Sequence, residues 1–265
     1  MKKKFSPVLF LSFCLLFILG SSFTINSKTA TPEYYQLTIY HFKNHAQLAT
    51  TSAYLKNVYL PALHKNGLSN IGVFSSIDND TSSDKKMYML VPFASMQKFE
   101  SLANMLSAGS LLKGDTSAYG TAAYNNAPYE RMENIILKAF KDMLHLQKPS
   151  LTAPLNERVY ELRSYEAATE KLYRQKVNMF NEGGEVGLFN RLKFNAVFYA
   201  EVLSGSHMPN LMYMTTFDSK TSRDEHWKNF VNDSVWKRIS VMPEYLNTVS
   251  KADIFFLRPT DYSDF

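Results

Sequence analysis

The chain has 265 residues, with 29 Lys and Arg against 24 Asp and Glu, a net charge of +5 and 45% hydrophobic residues. At roughly 100–200 residues per domain this allows one large domain or two small ones, and the apolar content excludes disorder, collagen and coiled coil. A single cysteine excludes an intrachain disulfide framework, a Cys-rich zinc module and an iron–sulfur cluster.

Lys2, Lys3 and Lys4 precede an apolar run from Val8 to Leu19, followed by Gly20, Ser21 and Ser22. A basic start, a short apolar run and small residues at its end describe a secretory signal peptide over 1–22, cleaved after Ser22. The run falls short of the roughly 20 apolar residues that a membrane-spanning helix needs. Cys14 lies inside the apolar run rather than at its end, which argues against lipidation. The mature chain would be periplasmic or secreted and free of cysteine. Cleavage removes three lysines and no acids, so the net charge falls from +5 to +2. No Lys/Arg cluster interleaved with aromatics remains, so no nucleic-acid partner is expected. With no second long apolar run, no stable membrane insertion is expected after cleavage.

In chain order, Tyr35–Phe42 reads as a strand and Asn44–Lys65 as a long helix. Strands over Asn70–Ile77 and Lys86–Phe93 follow, then a helix over Ser95–Leu106, an irregular aromatic-rich stretch and a strand over Glu133–Phe140. A Pro-containing linker (144–156) separates this unit, 33–143, from a second one, 157–262. There the elements recur: a strand Val159–Tyr165, a helix Ala168–Asn181, strands Asn195–Leu203 and Leu211–Phe217, a helix Ser219–Asn229 and a strand Ala252–Arg258. The order βαββαβ is ferredoxin-like. Residue pairs 125 apart support a repeat. Tyr35 matches Tyr160, Leu37 matches Leu162, Phe74 matches Tyr199, and Met87-Tyr88-Met89 matches Met212-Tyr213-Met214. Toward the end the spacing slips to 118, matching Ile136 with Ile254.

MYMLV and LMYM are apolar at both parities, so these strands are expected to be covered on both faces. In the first strand of the second unit, Tyr160 and Leu162 share one face and Glu161, Arg163 and Tyr165 the other. The latter, polar face is expected to meet the sheet of the other unit. The fold class that results is α+β: two tandem ferredoxin-like units forming an intramolecular dimeric α/β barrel.

YELRSYE, NAVFYAEV, NLMYMTTF and SRDEHWKNF, with the tail DSVWKRI, resemble the NIPSNAP domain. The second unit carries the resemblance most clearly. The first is similar in layout but has Tyr119 or Tyr124 where the family has tryptophan. The resemblance implies tandem NIPSNAP domains of the dimeric α/β barrel superfamily in an exported, bacterial-type protein. Relatives on the wider barrel fold include haem-degrading and quinol monooxygenases, but a shared fold does not fix function.

The sequence lacks a Gly-rich phosphate loop, a G-x-S-x-G elbow and an HExxH helix. Glu182-Gly183-Gly184-Glu185 reads as a helix end needing φ > 0, or as two carboxylates at a pocket mouth. His41 and His45 are four apart, but a strand-to-helix junction separates them and no third ligand is near, so no metal is expected. His64 reads as a histidine at a helix C-terminus rather than as a haem ligand, and no cofactor is expected. Arg163 serves either as an anchor for a carboxylate-bearing ligand or as a partner of Glu161 or Glu201 that fixes how the units dock. His207 lies in a loop, where function concentrates, and His226 and Trp227 read as a helix face packed on the sheet. Two readings follow. In the first, a small organic ligand is bound, or transformed, in a sheet–helix pocket lined by Arg163, Glu182, Glu185, Tyr199 and His207. In the second, the chain is a non-catalytic interaction module that assembles, for instance as a homo-oligomer, through its barrel surfaces.

Overall fold

The computed structural model describes residues 31–265, and the signal segment expected over 1–22 lies outside the described residues. The first copy consists of β1 (Tyr34–Phe42), α1 (His45–Tyr54), a π-helical turn (Leu55–Tyr59), α2 (Leu60–Lys65), β2 (Gly72–Ser76), β3 (Lys85–Phe93), α3 (Met96–Ser107) and β4 (Arg131–Ala139). The second consists of β5 (Val159–Glu166), α4 (Glu170–Phe180), α5 (Glu185–Arg191), β6 (Phe198–Ser204), β7 (Asn210–Phe217), α6 (Lys220–Asn232), α7 (Ser234–Ile239) and β8 (Lys251–Pro259). Polar residues start the helices. Asn44, Ser95, Thr169, Ser219 and Asp233 each hold extended backbone and accept a hydrogen bond from an amide two or three residues on. Each bond satisfies one of the free donors at a helix start. The sequence reading missed α5 and α7, which are short and interrupted by polar residues.

The eight strands close into one barrel in the order β1-β3-β2-β8-β5-β7-β6-β4. Within it each copy has the same internal order, β4-β1-β3-β2 and β8-β5-β7-β6. The copies join edge to edge, Phe74–Ser76 on β2 pairing with Leu257–Pro259 on β8 and Ile136–Ala139 on β4 with β6. All neighbours are antiparallel. β1 and β5 therefore run in the same direction, and equivalent residues of the two copies reach the same barrel end.

Alternation along each strand divides the side chains between the barrel interior and the helix layer. Tyr35, Leu37 and Ile39 of β1 point inward with Tyr160 and Leu162 of β5, Tyr88 and Leu90 of β3, Met212 and Met214 of β7, and Leu137 and Leu257 of the last strands. Tyr40, Phe42, Met87, Met89 and Phe93 pack outward on the first copy's helices, and Leu211, Tyr213 and Phe217 on the second copy's. This is why MYMLV and LMYM are apolar at both parities.

The register corrects part of the repeat. Leu37 pairs with Leu90 and its equivalent Leu162 pairs with Met214, so β3 and β7 correspond at a spacing of 124, not 125. A one-residue change exchanges the two faces of a strand. Tyr88 accordingly points into the barrel, whereas Tyr213 lies under the helices, and the Phe74–Tyr199 match fails in the same way. In the last strands Ile135 lies opposite Leu37 and Phe255 opposite Leu162, a spacing of 120 rather than 118.

The structure also reverses the expected facing of β5. Glu161, Arg163 and Tyr165 turn toward the helices, and the apolar pair Tyr160 and Leu162 meets the other copy. Eight strands enclose an interior that only side chains can fill, which selects the apolar set. The polar set instead clamps α6 to the sheet. Glu161, fully buried, accepts from Arg163 Nε at 2.5 Å, Arg223 Nε at 2.6 Å and Trp227 Nε1 at 3.0 Å. The Arg163 guanidinium lies 3.7 Å over the Trp227 ring, and its other end donates to Tyr165, whose hydroxyl meets that of Tyr213 at 2.8 Å. Burial pushes the Glu161 carboxyl up, but Arg223 and Arg163 outweigh it and hold it below the ordinary glutamate value. Glu161→Ala leaves two guanidinium groups without their shared carboxylate and should destabilise the protein by about 3–5 kcal/mol, read from denaturant unfolding.

Candidate functional site

Where β1 and β5 end, the inward positions change from apolar to polar. Ile39 gives way to His41, Leu162 to Ser164, Tyr88 to Lys86, Ile135 to Glu133 and Arg131, Met212 to Asn210 and Phe255 to Asp253. Together they form a cavity of about 200 Å³ at the barrel mouth, with Ile39, Tyr88, Ile135, Val202, Met212 and Phe255 as an apolar floor. The other end holds Tyr35 and Tyr160; Phe265 packs on Tyr160, and Leu146 and Leu151 pack on the interior cluster.

The charged rim is built twice. Arg131-x-Glu133 on β4 and Lys251-x-Asp253 on β8 occupy equivalent inward positions, and each basic residue contacts the acid two residues on. His41 and Glu166 are equivalent ends of β1 and β5, and each forms an imidazole–carboxylate pair. His41 Nδ1 lies 2.9 Å from Asp84, and Glu166 lies 2.9 Å from His207 Nδ1. His41 is buried; its Nε2 is 3.1 Å from Glu133 Oε1 but off the hydrogen-bonding line. Arg131 Nη2 lies 3.2 Å from His41 Nδ1, so the imidazole sits among two carboxylates and a guanidinium at the cavity wall. Asn210, also buried, donates to Ser164 Oγ at 2.9 Å. Among the described residues, no group of three or more His, Cys, Asp or Glu side chains is arranged to hold a metal ion.

The five residues expected to line one pocket are dispersed. His207 sits at the mouth cavity. Arg163 belongs to the Glu161 clamp. Its expected role in docking the two copies gives way to fixing α6, because its strand face turns outward. Glu185 is buried and paired with Lys176 Nζ at 2.8 Å, whereas Glu182 is exposed beside Lys141. Gly184 has φ +83 and begins α5, so the glycine pair makes the turn between α4 and α5. Tyr199 is buried among Phe140, Phe180, Phe189 and Tyr213, and burial pushes its phenol well up. These rings occupy the space between sheet and helices where the second copy's pocket was expected. His64 bonds Asp264 at 3.1 Å, His226 packs on Phe194 and Phe217, and His45 is exposed at the start of α1. Sequence reasoning missed Asp84, Lys86, Arg131 and Glu133. The recurrence of base-x-acid at the start of both last strands was the signal that points to the rim.

Partial burial pushes the Asp84 and Glu133 carboxyls up, but hydrogen bonds from His41 and Lys86 on the first, and the Arg131 hydrogen bond with the closeness of Arg131 and His41 on the second, hold both below their ordinary values. A carboxyl depressed by folding adds stability that is complete above its unfolded value, about 4, and is lost as pH falls through the folded value. Melting temperature should therefore drop below about pH 4. In Asp84→Asn/Glu133→Gln that acid limb should be shallower, as a pH series of thermal melts would record.

Residues 160–264 match the NIPSNAP family model. No curated protein matches the chain. Among solved structures, a candidate monooxygenase from Lactobacillus acidophilus is similar at 10% identity and TM-score 0.53, covering 86% of this chain and 94% of its own. Another, from Fusobacterium nucleatum, has 8% identity and TM-score 0.52 over 86% of this chain and 93% of its own. A NIPSNAP family protein from Agrobacterium tumefaciens has 17% identity and TM-score 0.36, covering 44% of this chain and 98% of its own. At these identities the two barrel likenesses establish the fold and no reaction.

Proposed function

We propose that this chain, whose second copy is a NIPSNAP domain, binds a small organic molecule at the mouth of its barrel. The observation that carries the reading is the cavity itself: six apolar floor residues from both copies lie under a rim of paired charges. Pockets that combine apolar walls with a few convergent polar groups are the usual places for small ligands. At about 200 Å³ the space suits a molecule of one or two rings, since an apolar cavity of about 150 Å³ holds benzene. The apolar body would face Ile135, Val202 and Met212, and the polar end would reach His41, Glu133 or Asp253. The rim charges are already paired, so a neutral or zwitterionic polar end fits better than a bare ion. Export by the signal over 1–22 is part of the same proposal and places binding in the periplasm or outside the cell.

Native mass spectrometry of protein purified from its own host tests the reading. A retained small molecule is expected in the wild type. It should be absent from Val202→Phe, which fills the floor while far-ultraviolet circular dichroism stays unchanged. Retention of the same molecule by a folded Val202→Phe protein would place the ligand elsewhere. A wild type that retains nothing and shifts no mouth resonance with cyclohexanol or toluene would overturn small-molecule binding.

A further inference from the structure

We infer that the first copy carries a second, independent binding site, a groove along α1 and α2 that takes a neutral oligosaccharide chain. Three hollows of about 400, 370 and 560 Å³ lie side by side between this helical face and the segment 111–130. The first and second share Thr50 and Ala118, and the second and third share Asn57, Val58 and Ser117. They form one groove running from Asn44 to Lys65, about 30 Å long at about 1.5 Å per helical residue. Its length suits an extended chain better than a compact molecule.

The lining argues for the chemistry. Asn57, Asn125 and Asn126 make no side-chain hydrogen bond among the described residues, and an amide offers donor and acceptor side by side, as hydroxyl-rich ligands require. Gln47 is not free: it donates to Ala127 O and to Glu130 at 3.0 Å each, tying the segment to α1 and keeping the groove in shape. At the groove's edge Tyr124 stands 99% exposed, a ring with an open face for the C–H side of a sugar. Charges in the groove are few and of both signs, Glu130 and Asp115 against Lys65 and Lys113, so an anionic polymer finds no basic track. A peptide is the weaker fit, because the closed barrel offers no free strand edge and the groove lacks deep apolar pockets for side chains.

Two features of the backbone agree. Asn57 and Val58 belong to the π-helical turn, a form that recurs at functional sites. In the second copy the counterpart of residues 114–121 folds as α7 and packs Trp236 against Phe230 with ring centres 4.7 Å apart. The first copy has turns in place of that helix, with Tyr119 stacked on Tyr54 at 3.9 Å, and Asn125 and Asn126 follow them.

Calorimetric and NMR titration of the purified chain with cellohexaose, maltohexaose, xylohexaose and chitohexaose tests the inference. At least one hexasaccharide should bind, and Tyr124→Ala should weaken it by about threefold to tenfold, the scale of losing one aromatic contact. Asn57→Ala should weaken it as well. Both residues are removed from the core, so circular dichroism should be unchanged, and Val202→Phe should leave saccharide binding intact. Failure of all four saccharides to bind at millimolar concentration overturns the inference. So does binding indifferent to both substitutions, or tighter binding of a proline-rich peptide than of any saccharide.

Discussion

The edges of two four-stranded sheets govern this molecule. An open edge strand leaves a row of backbone donors and acceptors unpaired, and neither copy alone could satisfy its own. Here β2 of the first copy pairs with β8 of the second, and β4 pairs with β6. Each copy supplies the partner for the other's edges, so the two ferredoxin-like units exist as one barrel. The seams are short, three or four residue pairs each. The apolar interior contributed by all eight strands supplies the remaining cohesion.

Closure also fixes where the polar strand ends meet. Because β1 and β5 run in the same direction, the polar ends of equivalent strands converge on one mouth, and two modest clusters of charge become a ring. The opposite end holds Tyr35 and Tyr160, with Phe265 packed on Tyr160. On the outside the copies diverge. The second fills its sheet–helix layer with aromatic rings and the Glu161 clamp, while the first leaves a long groove beside α1 and α2. A repeat relieved of identical duties on both sides can keep its strands and change its helical face.

Much of the fold was legible because strand and helix periods are local properties. The element order, the repeat and the double coverage of MYMLV and LMYM follow from residue pattern alone. The match of Met-Tyr-Met with Met-Tyr-Met misled, since a spacing wrong by one residue exchanges inside for outside: Tyr88 lines the barrel and Tyr213 does not. The facing of β5 was illegible for a related reason. Both faces of YELRSYE are buried, so alternation could not say which met the helices. Of the residues expected to bind a ligand, only His207 reaches the mouth.

The sequence by itself determined that two βαββαβ copies follow one another and that MYMLV and LMYM are covered on both faces, because those outcomes depend on near neighbours in the chain. Only the tertiary structure decided that Arg163 turns to the helix layer and joins α6 through Glu161 and Trp227, and that His41, Asp84, Glu133, His207 and Asp253 share a rim. Those five come from positions as much as 212 residues apart, at 41 and 253. Barrel closure and strand register bring them together, and both are set by the packing of whole sheets rather than by any local pattern.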